Sequence, residues 1–258
     1  DSGCAGRGGG AGAKTVEADM RVSVSCIIPA WNEAERLPFV LKAVIGHPAV
    51  DEVIVVDDGS RDNSADVAER LGATVLRQRR NGGKSAAVAA GVAEARGDLI
   101  LLLDADLVGL TPMQVMDLLV PVRSGRADVA ISLRQNAPSV WRWIGLDYIS
   151  GERVMRREML LPWLSRMAGL KGFGLEVFLN RLWIADRARV AVVRSAAVSP
   201  SKVAKQGVLR GIAGDIGMMR DIFGTIGAVT ALRQIVALRR LRLRDAQVAR
   251  AARVGLGD

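Results

Sequence analysis

The sequence holds a single histidine, His47, and only two cysteines, Cys4 and Cys26. One imidazole, set in a Gly-His-Pro turn, leaves no basis for a Ser-His-Asp or Cys-His nucleophile system or for a zinc site of the His/Cys type. His47 itself reads as a loop residue on the edge opposite the candidate site. The cysteines have no metal-ligand spacing, and at 258 residues a disulfide scaffold is excluded; both fit a reducing cytoplasm. Aromatics make up only 4% of the chain and no nucleic-acid reader module is present, which excludes a nucleic-acid partner. No uninterrupted apolar run reaches the roughly 18 residues a spanning helix needs. The opening DSGCAGRGGGAGAK has no apolar h-region and is not read as a secretory signal; residues 1–20 read as a flexible leader ahead of a start at Met20. Acidic residues are also in short supply, 27 against 36 Lys and Arg, giving a net charge of +9 and a pI near 10.5. That balance suits anionic partners: nucleotides, phosphorylated acceptors or acidic lipid surfaces.

What is present is a regular alternation. Half the residues are apolar, enough for a globular core. SVSCIIPA, DEVIVVDDGS, ATVLRQ, DLILLLDAD and ADVAISLR read as strands. NEAERLPFVLKAVIG, RDNSADVAERLG, GKSAAVAAGVAEARG and TPMQVMDLLVPVRSG read as the helices between them, several closed by glycine. Strands separated by helices of this length predict βαβ units and a mostly parallel sheet. Near-continuous apolar strands such as VIVV and LILLL predict a sheet covered on both faces. From about residue 135 to 170 the pattern reads as mostly helical, and ARVAVVRS reads as a returning strand. The expected organisation is an α/β domain over residues 21–200, with a basic helical extension over 201–258. Within the domain, 21–134 is the ligand-binding half and 135–200 the acceptor half.

In an open parallel sheet, ligands bind beyond the carboxyl ends of the strands. Strand one ends in Pro29-Ala30-Trp31-Asn32-Glu33, strand two in Asp57-Asp58-Gly59-Ser60 and strand four in Asp104-Ala105-Asp106, while strand three feeds Asn81-Gly82-Gly83-Lys84. Turn formation and helix capping explain any one of these clusters. Four on one rim point to a ligand site. A dinucleotide fingerprint does not follow the first strand. A P-loop fails because its first glycine would fall at Gln78.

The segments CIIPAWNEAERL, VIVVDDGSRDNS, NGGKSAAVAAG and DLILLLDADL, in that order, resemble the family 2 glycosyltransferases of the GT-A (Rossmann-like) fold. The resemblance covers residues 22–134. It implies transfer of a sugar from a nucleoside diphosphate donor, UDP- or GDP-linked, with inversion at the anomeric carbon. It makes Asp104 and Asp106 the D-x-D pair that holds a divalent cation, Mg²⁺ or Mn²⁺, with Asp106 also catalytic; such hard ions suit carboxylate and phosphate oxygens. It places Pro29, Ala30, Trp31, Glu33 and one of Asp57 or Asp58 around base and ribose, with Ala105 and Asp104 beside the nucleotide sugar, and Gly83 and Lys84 near the phosphates. The segments SGERVMRRE and GFGLE resemble the second half of glucosyl-3-phosphoglycerate synthases. That likeness makes Glu176 a candidate general base or orienting group, and Arg153 and Arg157 candidates for an acceptor phosphate. The alternative roles are a helix-capping acid and a solvated arginine face. The acceptor expected is a lipid or polyprenyl phosphate, a glycan or a small phosphorylated acid.

Near the C-terminus, Ile226, Val229, Leu232, Ile235, Val236 and Leu238 share a helical face, with Arg233, Arg239, Arg240, Arg242 and Arg244 on the remainder. One reading is an amphipathic helix on an anionic membrane, consistent with a cytoplasmic enzyme peripheral to the inner face of the plasma membrane. The other is a helix packed on the domain or at an oligomer interface. The competing functional class is a non-catalytic nucleotide- or membrane-binding module on a degenerate transferase scaffold.

Overall fold

The computed structural model describes residues 22–137, 139–198 and 227–243. Seven strands form one sheet: β1 (Val24–Ala30), β2 (Glu52–Asp57), β3 (Thr74–Arg77), β4 (Leu99–Leu102), β5 (Val129–Arg134), β6 (Arg153–Arg156) and β7 (Val190–Ser195). Their order is β3-β2-β1-β4-β6-β5-β7. All pairings are parallel except those of β6, which runs antiparallel to both β4 and β5. Six strands therefore deliver their carboxyl ends to one rim, where Ala30, Asp57, Arg77, Leu102, Arg134 and Ser195 stand, and β6 starts there with Arg153.

Helices α1 (Leu37–Val44), α2 (Ser64–Arg70), α3 (Lys84–Glu94) and α4 (Pro112–Arg123) make the first crossovers. α4 starts in a capping box: Thr111 accepts from the Gln114 backbone N–H while Gln114 accepts from the Thr111 N–H. The helix thereby recovers two donors that its first turn leaves without partners. Sheet alternation then sorts the strand residues between two cores. Ile27, Ile54, Val56, Ile100 and Leu102 pack on the α3 side. Cys26, Ile28, Val53, Val55, Leu99 and Leu101 pack on the α1 and α4 side. Both faces are covered, as the apolar runs predict.

The stretch from 135 to 170 departs from its mostly helical reading. It holds a short α5 (Ser139–Ile144), strand β6, two 3₁₀ turns and a short α6 (Leu164–Ala168). RVMR looks charged in sequence, yet Arg153 is fully buried. Its guanidinium donates to the Ser150 carbonyl at 2.7 Å, to the Tyr148 carbonyl at 3.1 Å and to Asn180 Oδ1 at 2.7 Å, and lies 4.8 Å from the Trp183 ring centre. An arginine satisfied inside the core gives a strand without an apolar signature. Helix α3 also stops at Glu94, short of the Gly97 expected to close it.

Helix α7 (Gly174–Ala185) and α8 (Ala228–Leu241) complete the described chain. In α8, Ala231, Ile235 and Leu238 are buried, whereas Val229, Leu232 and Val236 are exposed. The apolar face expected in this helix is thus two stripes, one docked on the domain and one facing outward. The docked end is fixed by Leu243, whose N–H donates to the Val190 carbonyl at 2.8 Å, and by Arg242, which donates to the Gly145 carbonyl at 2.8 Å. Ile226, Arg244 and the leader lie outside the described residues. Among the described residues, no helix is long and apolar enough to cross a membrane.

Candidate active site

The rim loops are tied to one another before any ligand is considered. Asn32, at a left-handed φ of 56°, donates its backbone N–H to Ser60 Oγ at 2.9 Å and accepts from the Arg61 N–H at 2.8 Å. Glu33 and Ala34 donate backbone N–H groups to Ser64 Oγ and Asp62 Oδ2, at 2.8 and 3.1 Å. The loop after β1 is therefore locked to the start of α2. It carries Trp31, a large apolar side chain left 53% exposed at the rim. Burial raises the carboxyl of Glu33, opposed by its 2.6 Å ion pair with Arg36.

Asp57 and Asp58, adjacent in sequence, have different tasks. Asp58 is buried, and its two carboxylate oxygens accept the backbone N–H groups of Gly82 and Gly83, each at 2.8 Å. It thereby clamps the glycine loop. Asp57 accepts from the Ser60 N–H at 3.3 Å. The clamp has a matching contact: a β-carbon on Gly59 would stand 2.8 Å from the Arg80–Asn81 peptide, which only glycine permits. The loop entering α3 is thus fixed from two sides, and Lys84 projects from its first turn.

Lys84 reaches across the rim to two acids. Its ammonium lies 2.6 Å from Asp104 Oδ1 and 2.8 Å from Glu176 Oε1. Asp104 follows β4 and Glu176 sits in the first turn of α7, so one cation joins the donor half to the acceptor half. Burial opposes charge on Asp104, but the Lys84 ammonium outweighs it and holds the carboxyl below its ordinary range. Burial likewise opposes the ammonium of Lys84, and the two carboxylates more than reverse that, raising it well above an ordinary lysine. Pro29, Lys84, Asp104, Gly151 and Glu176 line a small cavity, and the second oxygen of Glu176, Oε2, is buried there without a hydrogen-bond partner. Gly151 closes its far side: a β-carbon at this position would collide with both oxygens of Asp104.

Among the described residues, no three His, Cys, Asp or Glu side chains converge as a metal cluster. The donor set nevertheless fits a hard divalent ion shared with a ligand. Asp104 and Asp106 offer oxygens, and Glu176, which lines the same cavity as Asp104, has one oxygen buried without a partner. Asp106 also acts electrostatically on Glu33, which places it toward the β1 loop.

The two arginines expected to hold an acceptor phosphate are elsewhere employed. Arg153 is at rim height but points into the core, as described above. Arg157 follows the far end of β6, where its N–H donates to the Asp98 carbonyl at 2.8 Å; Asp98 precedes β4, so Arg157 lies at the opposite end of the strands from Asp104. A different set of arginines stands at the rim. Arg134, Gln135, Arg142, Arg194 and Ser195 line a cavity of about 310 Å³ beyond the ends of β5 and β7. Arg142 and Arg194 are exposed, and Arg134 is anchored from behind, 3.1 Å from Asp147 Oδ2 and 3.7 Å from Glu152 Oε1. Glu152 is fully enclosed, and burial pushes it up to about 7 despite Arg134. The carboxyl-end rule that applies to β1, β2 and β4 also points to Arg134, the last residue of β5, and to Arg194, the last but one of β7. Arg142 and Gly151 have no comparable signal, since the chain reaches them through the irregular stretch around β6. His47 is buried away from this rim, its Nδ1 accepting from the Ala49 N–H at 3.1 Å and its Nε2 3.1 Å from the Pro112 carbonyl.

Known proteins resemble this chain in sequence and in fold. The family model described as Glycosyl transferase family 2 matches residues 25–178, which include the Lys84, Asp104, Asp106 and Glu176 positions. The undecaprenyl-phosphate 4-deoxy-4-formamido-L-arabinose transferase of Pseudomonas paraeruginosa is 40% identical over 130 residues, 46% of this chain and 38% of that protein. The dolichyl-phosphate beta-glucosyltransferase of Trichomonas vaginalis is 41% identical over 107 residues, 36% of this chain and 33% of that protein. The matched part thus spans well under half the length of these curated relatives. In fold, the chain is similar to glucosyl-3-phosphoglycerate synthase from Mycobacterium tuberculosis, solved with Mn²⁺, UDP-glucose and phosphoglyceric acid. The TM-score is 0.64 at 22% identity, over 89% of this chain and 85% of that one.

Proposed function

The chain belongs to glycosyl transferase family 2, and on that premise we propose that it moves a sugar from a nucleoside diphosphate to a phosphate-bearing acceptor, a polyprenyl phosphate foremost. The observation that carries the acceptor class is the arginine-lined cavity at the ends of β5 and β7, on the same rim as Asp104. Guanidinium groups recognise phosphate through paired donors, and Arg134 is held in place by Asp147. Both sequence relatives are named for a polyprenyl phosphate, undecaprenyl or dolichyl.

On the donor side, Trp31 offers a stacking face for a base, with Pro29, Ala30, Glu33 and Asp57 around the base and ribose. The first turn of α3 supplies Lys84 and backbone N–H groups for a diphosphate; the positive end of the helix favours an anion there. Asp104, Ala105 and Asp106 form the turn beside it, and the two aspartates would hold Mg²⁺ or Mn²⁺. When bound, such a cation supplies Lewis-acid neutralisation of the charge that grows on the departing diphosphate. A phosphate acceptor is already anionic, so Arg134, Arg142 and Arg194 need only orient its oxygen toward the anomeric carbon. One in-line displacement inverts that centre. A hydroxyl acceptor would instead need a base, and Glu176 is the carboxylate within the cavity.

The outward stripe of α8 fits a lipid acceptor. Val229, Leu232 and Val236 share a face with Arg233, Arg239 and Arg240, all exposed, the combination by which a helix lies on an anionic surface. We place the enzyme at the cytoplasmic face of the membrane by this contact. The test is product formation from a panel of UDP-, GDP- and dTDP-sugars with Mn²⁺ or Mg²⁺, offered a polyprenyl phosphate or 3-phosphoglycerate. Sugar transfer to the polyprenyl phosphate supports the proposal. Transfer only to the soluble acid moves the acceptor class, and no transfer or donor hydrolysis with any sugar favours a non-catalytic scaffold.

A further inference from the structure

Lys84 stands where a cation would stand. Its ammonium contacts Asp104 Oδ1 at 2.6 Å and Glu176 Oε1 at 2.8 Å, so the ligand-free site already contains a positive charge between its acids. Elements beside that ammonium are held by contacts of their own. The loop before it is clamped by Asp58 through Gly82 and Gly83. Gly151 sits against Asp104 from the other side. The Lys84 side chain is 35% exposed and carries its charge on four flexible methylenes. Beside it are the N–H groups at the start of α3, an eleven-residue helix whose positive end attracts phosphate.

We propose that Lys84 is a built-in counterion that keeps divalent cations out of the empty site and hands the site over when a nucleoside diphosphate arrives. This rests on the donor site proposed above. In the ligand-free enzyme the Lys84 ammonium pairs with both Asp104 and Glu176 and offsets one of their two negative charges, so a free divalent ion must compete with it to enter. An incoming diphosphate offers Lys84 a stronger anionic partner next to its own helix terminus. As the ammonium turns to the phosphates it releases both carboxylates at once. Asp104 becomes available to a cation arriving with the nucleotide, and Glu176 becomes available to the acceptor side. Glu176 lines that cavity beside Lys84 and Asp104, and its Oε2 is buried without a hydrogen-bond partner. The lysine thereby links filling of the donor site to exposure of a carboxylate across the rim, a form of coupling through differential contacts in two states.

The test is calorimetric titration of Mn²⁺ alone, UDP alone and Mn²⁺ with UDP into the full chain and into Lys84→Met. The wild type should bind Mn²⁺ alone weakly and bind it at least tenfold more tightly with UDP present. Lys84→Met should bind Mn²⁺ alone at least tenfold more tightly than the wild type and bind UDP alone more weakly. If Lys84→Met fails to fold because two acids repel, Lys84→Met with Glu176→Gln removes the repulsion and should show the same gain. Equal Mn²⁺ affinity in the wild type and the folded variant overturns the counterion role, and if the wild type still binds Mn²⁺ with UDP, the donor site stands without it. If no protein binds Mn²⁺ or UDP in any combination, the donor site itself is wrong and the counterion role falls with it.

Discussion

Gly151 lies so close to Asp104 that a single added carbon would strike both oxygens of its carboxylate. The rim is thus shaped for that carboxylate by a residue 47 positions away, on the turn into β6 rather than on the strand that carries the acid.

Gly151→Ala should push the Asp104 carboxylate off its position while leaving the sheet intact. Affinity for a nucleoside diphosphate with Mn²⁺ should fall about tenfold or more, equivalent to ~1.4 kcal/mol, with an unchanged circular dichroism spectrum. Titration calorimetry reads the first and spectroscopy the second; unaltered affinity would show that Asp104 does not need this space.

Asp58→Asn should act on stability before it acts on binding. An amide in place of the buried carboxylate turns one acceptor into a donor facing a backbone N–H of Gly82 or Gly83. Leaving one such donor unsatisfied costs about 1–3 kcal/mol, measurable as a lower midpoint in urea. A variant with wild-type stability would mean the clamp is not what fixes the loop.

The arginines should divide cleanly. Arg153→Met removes donors from the carbonyls of Ser150 and Tyr148 and from Asn180, so it should destabilise the fold by several kcal/mol, on the order of 3. Arg194→Ala and Arg142→Ala, at exposed positions, should leave the melting temperature within a few degrees and raise KM for a phosphate acceptor with little change in kcat. The opposite pattern would return the acceptor site to Arg153.

Much of this was legible from the chain. The parallel α/β sheet followed from strand runs separated by helices, and the rim followed from what ends β1, β2 and β4. Asp104, Lys84 and Glu176, far apart in sequence, do converge. What was not legible depends on burial. Nothing local separates Asp58, engaged by two peptide N–H groups, from Asp57 beside it. Arg153 reads as a phosphate binder by residue type, and only its enclosure by Tyr148, Asn180 and Trp183 gives it a structural task. Strand β6 escapes a period-based reading for the same reason. The outward stripe of α8 was visible as apolar residues, but which of them docks on the domain depends on tertiary packing.

Glu152 gives the fold a pH dependence. Burial raises its carboxyl to about 7, above its value in the unfolded chain, so the protonated form is favoured by folding. That stabilisation is complete below about pH 4.3, the unfolded value, and is lost as pH rises through 7, at no more than ~1.4 kcal/mol per unit. In EDTA, the melting temperature of the wild type should fall relative to Glu152→Gln between pH 5 and 8. Parallel profiles for the two proteins would remove Glu152 as the cause.

The central claim, a cation-assisted nucleotide-sugar site at the Asp104–Asp106 turn, is tested most directly by calorimetric titration of UDP- and GDP-sugars with and without Mn²⁺, in the wild type and in Asp106→Ala. At least one donor should bind in a Mn²⁺-dependent way. Asp106→Ala should lose that binding by about a hundredfold, equivalent to ~2.7 kcal/mol, at unchanged thermal stability. Donor binding that ignores Mn²⁺, or equal affinity in Asp106→Ala, would contradict it.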